Sequence, residues 1–309
     1  MTAATARVPV LAHPTIRPGG GWVPSSPCGP HCQPPSAPGA LPVLRFAALA
    51  GLVLLALLGT PLLPRRPRGR WLRSCSRAAL RVAGVRLVVS GADGYRAGGG
   101  VLVVANHQSW IDVLALTAVA PVRILAKREV QTWPVIGSLA ARGDALFLDR
   151  TELRSLPATV AGAADALRAG AVVAVFPEGT TWCGAASGPF RRAAFQAAID
   201  ARVPVRPVAI TLRLFDGSPA RAATFVGDQE LVDSVRRVLR LPGLVCELTI
   251  LPELAPDADR RELARAAAGA IAEVTGVAHL ASLRQLSGLR RNFGGVSAVK
   301  PPSPLSIQS

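Results

Sequence analysis

The chain has 309 residues, with 35 Lys+Arg against 19 Asp+Glu and a net charge of +16. Half of it is hydrophobic, which excludes a wholly disordered protein, and aromatics make up only 5%, which argues against a single-strand nucleic-acid binder built on stacking platforms. The positive balance fits anionic partners such as lipid headgroups or phosphorylated substrates, although the cations are nearly all Arg, a skew that coding bias also produces.

Residues 1–42 are rich in Pro and Gly and read as a disordered tail, with no apolar segment near the start to suggest a signal peptide. Within it, Cys28-Gly-Pro-His31-Cys32 offers three metal ligands but no fourth nearby, so no metal site is expected. The other cysteines, Cys75, Cys183 and Cys246, are scattered, and five is an odd number. That is not a disulfide framework, and it points to a reducing compartment.

Phe46 to Leu63 is an apolar run of 18 residues without a charge. As a helix it spans roughly 27 Å, close to a bilayer core of about 30 Å, so residues 43–64 are expected as a membrane helix. A buried core helix or an interfacial hairpin is the alternative. Arg65, Arg66, Arg68, Arg70, Arg73, Arg77, Arg81 and Arg86 follow before any acid. A basic segment beside a membrane helix marks the cytoplasmic side and attracts anionic lipid. Apolar residues interleave with these arginines, as in a basic amphipathic helix lying on the membrane surface.

From residue 85 the pattern changes. Strands are expected at 85–90, 101–106, 122–127, 145–149, 172–176, 205–210 and 244–250, with helices at 156–170 and 258–276, each ended by Gly. This alternation predicts an α/β fold over 65–280 with a mixed, mostly parallel sheet flanked by helices. Residues 281–309 lose periodicity and read as a second disordered tail. The sequence has no nucleophile elbow, no Walker A loop and no zinc-ligand cluster.

Open α/β sheets bind ligands at the carboxyl ends of their strands. The second strand ends in Asn106-His107, and Ser109 then reads as a helix N-cap with Asp112 three residues on. Asp112 is therefore either a capping carboxylate or the partner of His107. Inside one regular helix a five-residue gap sets side chains about 140° apart. With His107 in the loop before the helix, the two can converge, and a carboxylate that orients an imidazole makes a general base for a hydroxyl. Two later strands also end in polar residues: Asp149-Arg150, where the Arg fork can grip a phosphate, and Phe176-Pro177-Glu178-Gly179-Thr180, where Glu178 is expected as an ionisable group at the mouth of the sheet.

Together these segments resemble the glycerophospholipid acyltransferase family. Residues 106–112 (NHQSWID) are similar to its first motif, 143–150 (GDALFLDR) to its second, 176–180 (FPEGT) to its third and 203–210 (VPVRPVAI) to its fourth, in that order. The resemblance covers roughly residues 70–250. It implies transfer of a fatty acyl group from acyl-CoA or acyl carrier protein to a lysolipid hydroxyl, with no other cofactor and no acyl-enzyme. By carry-over His107 is the base and Asp112 its partner. Arg150 and the Glu178-Gly179 turn hold the phosphate and glycerol of the acceptor, with Thr180 and Arg191 beside them, and Asn106, Pro177 and Pro207 support the site. The chain departs from the family at Phe190-Arg191-Arg192-Ala193, where the family commonly has Phe-Lys followed by Gly. The leading expectation is a membrane-bound enzyme that converts lysophosphatidate to phosphatidate in phospholipid biosynthesis. One alternative is an acyltransferase with another acceptor, such as lyso-ornithine lipid, since residues 126–137 are similar to such relatives. Another is a non-catalytic protein that binds anionic lipid. No nucleic-acid partner is expected.

Overall fold

The structure is a computed structural model that describes residues 26–34, 42–95, 99–149, 152–257 and 259–277. The expected tail 281–309, most of the tail 1–42 and Arg150 lie outside the described residues.

Two helices lead, α1 (Val43–Gly59) and α2 (Arg65–Val82). They are followed by β1 (Val85–Gly91), β2 (Val101–Ala105), α3 (Trp110–Val119), β3 (Arg123–Lys127), α4 (Ile136–Arg142) and β4 (Leu146–Leu148). The chain continues through α5 (Leu156–Arg168), β5 (Val172–Val175), α6 (Ala193–Ala201), β6 (Val205–Leu214), α7 (Leu231–Leu239), β7 (Leu244–Ile250) and α8 (Arg260–Thr275). The strands form one sheet in the order β1-β7-β6-β2-β5-β3-β4. Every neighbouring pair is parallel except β6 with β7. The expected mixed, mostly parallel sheet is therefore present.

Strand β2 is central and wholly buried, so its five residues are apolar without alternation. Val101, Val103 and Ala105 face a core built with Leu80 of α2, Ile111 and Leu116 of α3, and Val238 of α7. Leu102 and Val104 face the other layer, with Leu167 of α5, Phe195 of α6 and Leu263 of α8. Pro207 is tolerated inside β6 because the ladder with β7 starts one residue later, at Val208 opposite Ile250.

Val43–Leu62 is long and apolar enough to cross a membrane, and only 17% of its apolar window is buried. It nevertheless lies along the body. Phe46, near its start, packs on the core cluster that includes Leu80 of α2 and Val238 of α7. Near its end, the carbonyl of Leu57 accepts a 3.0 Å bond from Arg142 of α4, and Gly59 meets the indole of Trp71 so closely that a Cβ would sit 2.9 Å away. The other side of the helix exposes Leu44, Leu54, Leu55, Leu58 and Leu62.

The arginines of α2 are less free than the sequence suggests. Arg73 and Arg77 both donate to the carbonyl of Ala118, at 3.2 and 2.8 Å, and so cap the C-terminal end of α3 where cations oppose the helix dipole. Arg68 bonds the carbonyls of Leu63 and Arg142. Arg70 and Arg81 remain exposed.

Residues 26–34 correct the expectation of a wholly disordered tail. They form a strap with a short 3-10 turn at Pro30–Cys32 that packs on the body. Ser26 Oγ donates to the Thr181 carbonyl at 3.1 Å, and Gln33 Nε2 donates to the Thr224 carbonyl at 2.7 Å. Cys28 is buried against Trp182, Cys183 and Val226. A small apolar patch and paired amides order a segment whose composition, rich in Pro and Gly, carried no periodic signal.

Candidate active site

The site forms where β2 stops. Asn106 copies a strand peptide: its Nδ2 donates to the Ile210 carbonyl at 2.8 Å, and its Oδ1 accepts from the Ile210 N–H at 2.8 Å. This side-chain ladder stitches the end of β2 to β6 and fixes the direction in which the chain leaves the sheet.

His107 comes next, in the loop before α3. Its Nδ1 lies 2.8 Å from Asp112 Oδ2. The same oxygen accepts the N–H of Gln108 at 2.6 Å and the N–H of Ser109 at 2.8 Å. Asp112 thus performs both roles that the sequence left open. One oxygen caps the first turn of α3 and orients the imidazole. Asp112 is fully buried, and its Oδ1 has no hydrogen-bond partner among the described residues. The Asp112 carboxylate accepts the Nδ1 proton, which puts the lone pair on Nε2. The ring also stacks on Phe176, with centroids 3.9 Å apart and planes within 13°. Two contacts at right angles therefore fix both its tilt and its tautomer. The His107 side chain keeps 19% exposure, enough to meet a substrate.

Glu178 lies beyond the carboxyl end of β5 and lines the same cleft as His107, but it is buried. Its Oε2 accepts the His107 N–H at 2.6 Å, and its Oε1 accepts from Ser187 Oγ at 2.6 Å and from the Gly188 N–H at 3.2 Å. Burial pushes this carboxyl up to about 8, against the opposing pull of those donors. Glu178 therefore positions His107 through its backbone, and both of its oxygens already accept hydrogen bonds. Gly179, at φ +75, gives the left-handed turn that aims Glu178 inward, and its N–H closes on the Phe176 carbonyl at 3.0 Å. Pro177 is buried and its carbonyl accepts the Arg191 N–H at 2.8 Å, while the Arg191 side chain is exposed. Thr180 is half-buried beside the turn. Pro207 is buried in β6, opposite Val104.

The structure thus brings together Asn106, His107, Asp112, Pro177, Glu178 and Gly179. Sequence reasoning missed Phe176 as the stacking partner, and Ser187 and Gly188 as the far anchor of Glu178. It also missed Trp182, whose backbone N–H donates to the His107 carbonyl at 2.8 Å. Ile271, Thr275 and Val277, at the end of α8, line the same small cleft as His107, and nothing in their local pattern announced it. A larger cleft lies at the amino ends of the strands, lined by Arg68, Leu72, Arg123 and Val172. It holds no His–carboxylate pair, so the chemistry belongs to the smaller one.

A parallel-rich α/β sheet with a histidine held by a buried carboxylate at its carboxyl edge defines a general-base site. Comparison with known proteins gives the class. A family model described as Acyltransferase matches residues 86–211. The chain is 38% identical over 174 residues to a lyso-ornithine lipid O-acyltransferase of Pseudomonas aeruginosa, covering 55% of this chain and 66% of that one. It is 39% identical over 124 residues to a 1-acyl-sn-glycerol-3-phosphate acyltransferase of Neisseria gonorrhoeae, covering 40% and 48%. A lyso-ornithine lipid O-acyltransferase of Rhizobium meliloti is 34% identical over 215 residues, covering 65% and 73%. The matches thus span less than two thirds of the first two relatives and nearly three quarters of the third. The crystal structure of a 1-acyl-sn-glycerophosphate acyltransferase from Thermotoga maritima shares the fold, with a TM-score of 0.57 at 21% identity, covering 75% of this chain and 92% of that one. The chain belongs to the acyltransferase family.

Proposed function

We propose that the protein transfers a fatty acyl group from a thioester, acyl-CoA or acyl carrier protein, to the free hydroxyl of 1-acyl-glycerol-3-phosphate, giving phosphatidate. The observation that carries this reading is the 2.8 Å contact of His107 Nδ1 with buried Asp112 Oδ2. His107 Nε2 takes the hydroxyl proton as the oxygen attacks the thioester carbonyl. Asp112 balances the imidazolium that forms. The tetrahedral adduct then collapses, the C–S bond breaks, and the departing sulfur receives the proton from Nε2. A thioester is already activated, so no further cofactor enters this chemistry. The phosphate is assigned to Arg150 by the family resemblance, with Arg191 beside it. Lysophosphatidate and membrane phospholipid are then the lipid partners, and the arginines that follow α1 suit the anionic lipids of the cytoplasmic leaflet, which supports a body facing the cytoplasm.

A second reading has specific support. Two of the relatives reported above are lyso-ornithine lipid O-acyltransferases. That acceptor has a hydroxyl but no phosphate, so the two readings divide at the anion grip. The test is an acceptor screen on purified protein with one labelled acyl-CoA. Lysophosphatidate is expected to be acylated in preference to lyso-ornithine lipid. In the Arg150→Ala variant, KM for lysophosphatidate is expected to rise far more than KM for acyl-CoA. Turnover of lyso-ornithine lipid alone, untouched by Arg150→Ala, would replace the first reading with the second.

A further inference from the structure

We propose that Cys28, Cys32 and Cys183 bind a zinc ion that fastens the strap of residues 26–34 to the loop carrying Glu178 and Trp182. The three sulfur atoms all lie within 4.8 Å of one another. The sequence offered only the Cys28-x-x-x-Cys32 pair, whose spacing falls within the two-to-four residues usual between paired ligands of structural zinc sites. The fold delivers the third sulfur from 155 residues away. The 3-10 turn at Pro30–Cys32, closed by the Cys32 N–H on the Gly29 carbonyl at 2.9 Å, bends Cys28 and Cys32 to one side.

Backbone N–H groups face two of the sulfurs. The Cys183 N–H donates to Cys28 Sγ at 3.3 Å. Gly184, at φ +77, turns the chain back so that the N–H groups of Ala185 and Ala186 hydrogen-bond Cys183. Cys28 and Cys183 are buried, and Cys32 is half-buried. The fourth position therefore opens on the Cys32 side, to solvent or to the neighbouring, exposed His31.

Two other uses of the cluster fit less well. As plain apolar packing it would not need N–H groups aimed at sulfur. A disulfide would use two of the sulfurs and leave the third as a buried odd thiol. Three thiolates around a borderline-soft cation satisfy all of them, and zinc is the divalent ion that takes such a set without redox change.

The ion would act on positioning, not on chemistry. Its ligand Cys183 follows Trp182, whose backbone N–H holds the His107 carbonyl. The strap also grips Thr181 through Ser26, and through Gln33 it grips Thr224, next to Phe225, whose N–H bonds the Gln108 carbonyl at 2.8 Å. Both loops that border the first motif are thus tied to a segment lying N-terminal to α1.

The test uses the full chain, purified in detergent under reducing conditions. One zinc per chain is expected, and Cys32, which is only half-buried, should resist a thiol reagent until a chelator strips the metal, while Cys75 reacts throughout. Cobalt added to the stripped protein should give thiolate-to-metal charge-transfer absorption and tetrahedral ligand-field bands. Cys28→Ser and Cys183→Ser should lose the metal, and Cys75→Ser, on α2 outside the cluster, should keep it. If a variant fails to fold, the cobalt spectrum of the wild type and the chelator-dependent reactivity of its Cys32 decide. The proposal is overturned if reduced wild type neither retains nor takes up zinc stoichiometrically, if Cys28→Ser and Cys183→Ser both keep their zinc, or if protein isolated without oxidant carries a Cys28–Cys183 disulfide.

Discussion

Asp112 Oδ2 serves three donors at once, and that sharing sets the outcome of its substitution. In Asp112→Asn the amide oxygen can still accept the N–H groups of Gln108 and Ser109, so the first turn of α3 survives. Its NH2 then occupies the buried site of Oδ1, which has no partner among the described residues, at a cost of about 1–3 kcal/mol. The larger effect is on catalysis, since a neutral amide cannot balance the imidazolium. Asp112→Asn is expected to fold and to lose roughly 10²–10⁴ in kcat, as is His107→Ala, with the double variant little worse than either. Steady-state kinetics with circular dichroism checks this, and a fully active Asp112→Asn enzyme would reduce Asp112 to a cap. Glu178 gives a prediction in pH. Its carboxyl moves from 4.5 up to about 8 on burial, so the folded chain holds a proton that the unfolded chain releases in that window. Stability from this group is present in full below the unfolded value and is lost as pH rises through about 8. The urea midpoint of the wild type should fall across this range, and that of Glu178→Gln should fall less. A wild-type midpoint that rises there would show the ionised form to be the favoured one.

At the scale of elements, the β2–β6 seam carries the site. Asn106→Ala removes a donor and an acceptor together and leaves the buried Ile210 N–H unpaired. A loss of about 1–3 kcal/mol is expected in chemical denaturation, with a fall in kcat because the loop bearing His107 leaves the sheet less firmly. Retention of full stability would mean that water replaces the amide. Legibility followed the range of the forces. The strands were readable because β2 and β5 are apolar runs bounded by Gly or Pro and β7 alternates apolar with polar residues after Cys246, and α5 and α8 announce their ends with Gly170 and Gly276, both at positive φ. Helices α4, α6 and α7 were not foreseen. They have 7, 9 and 9 residues, and none has a capping side-chain bond at its start, so packing rather than local sequence makes them. The His107–Asp112 pair was legible because both its roles lie within one turn of α3. The inward turn of Glu178 was not, because its bond to His107 joins residues 71 apart.

For the whole molecule, the strap decides what α1 can do. Residues 26–34 precede α1 and bond to Thr181 and Thr224, and both lie in the body that follows it. If α1 crossed a bilayer, the strap and the body would stand on opposite faces. Returning would require residues 35–41 to recross a hydrocarbon core of about 30 Å, with unpaired backbone that such a core does not tolerate. Packing of Phe46 at one end and of Leu57 and Gly59 at the other adds that α1 lies along the body. Its exposed Leu44, Leu54, Leu55, Leu58 and Leu62 recur at helical spacing and form an outward apolar stripe, with exposed Arg70 and Arg81 on the next helix. That combination fits a helix lying in the membrane interface, with arginines reaching anionic headgroups. Tags at the two ends of the chain should therefore be accessible from the same face of sealed vesicles. Leu54→Ser with Leu58→Ser should weaken vesicle binding about 10²-fold or more, at roughly 1.5–3 kcal/mol per side chain, and the remaining attachment should weaken further as salt rises. Tags found on opposite faces would make α1 a true span. They would also separate Cys28 and Cys32 from Cys183, so the topology measurement bears on the proposed zinc site independently of any metal analysis.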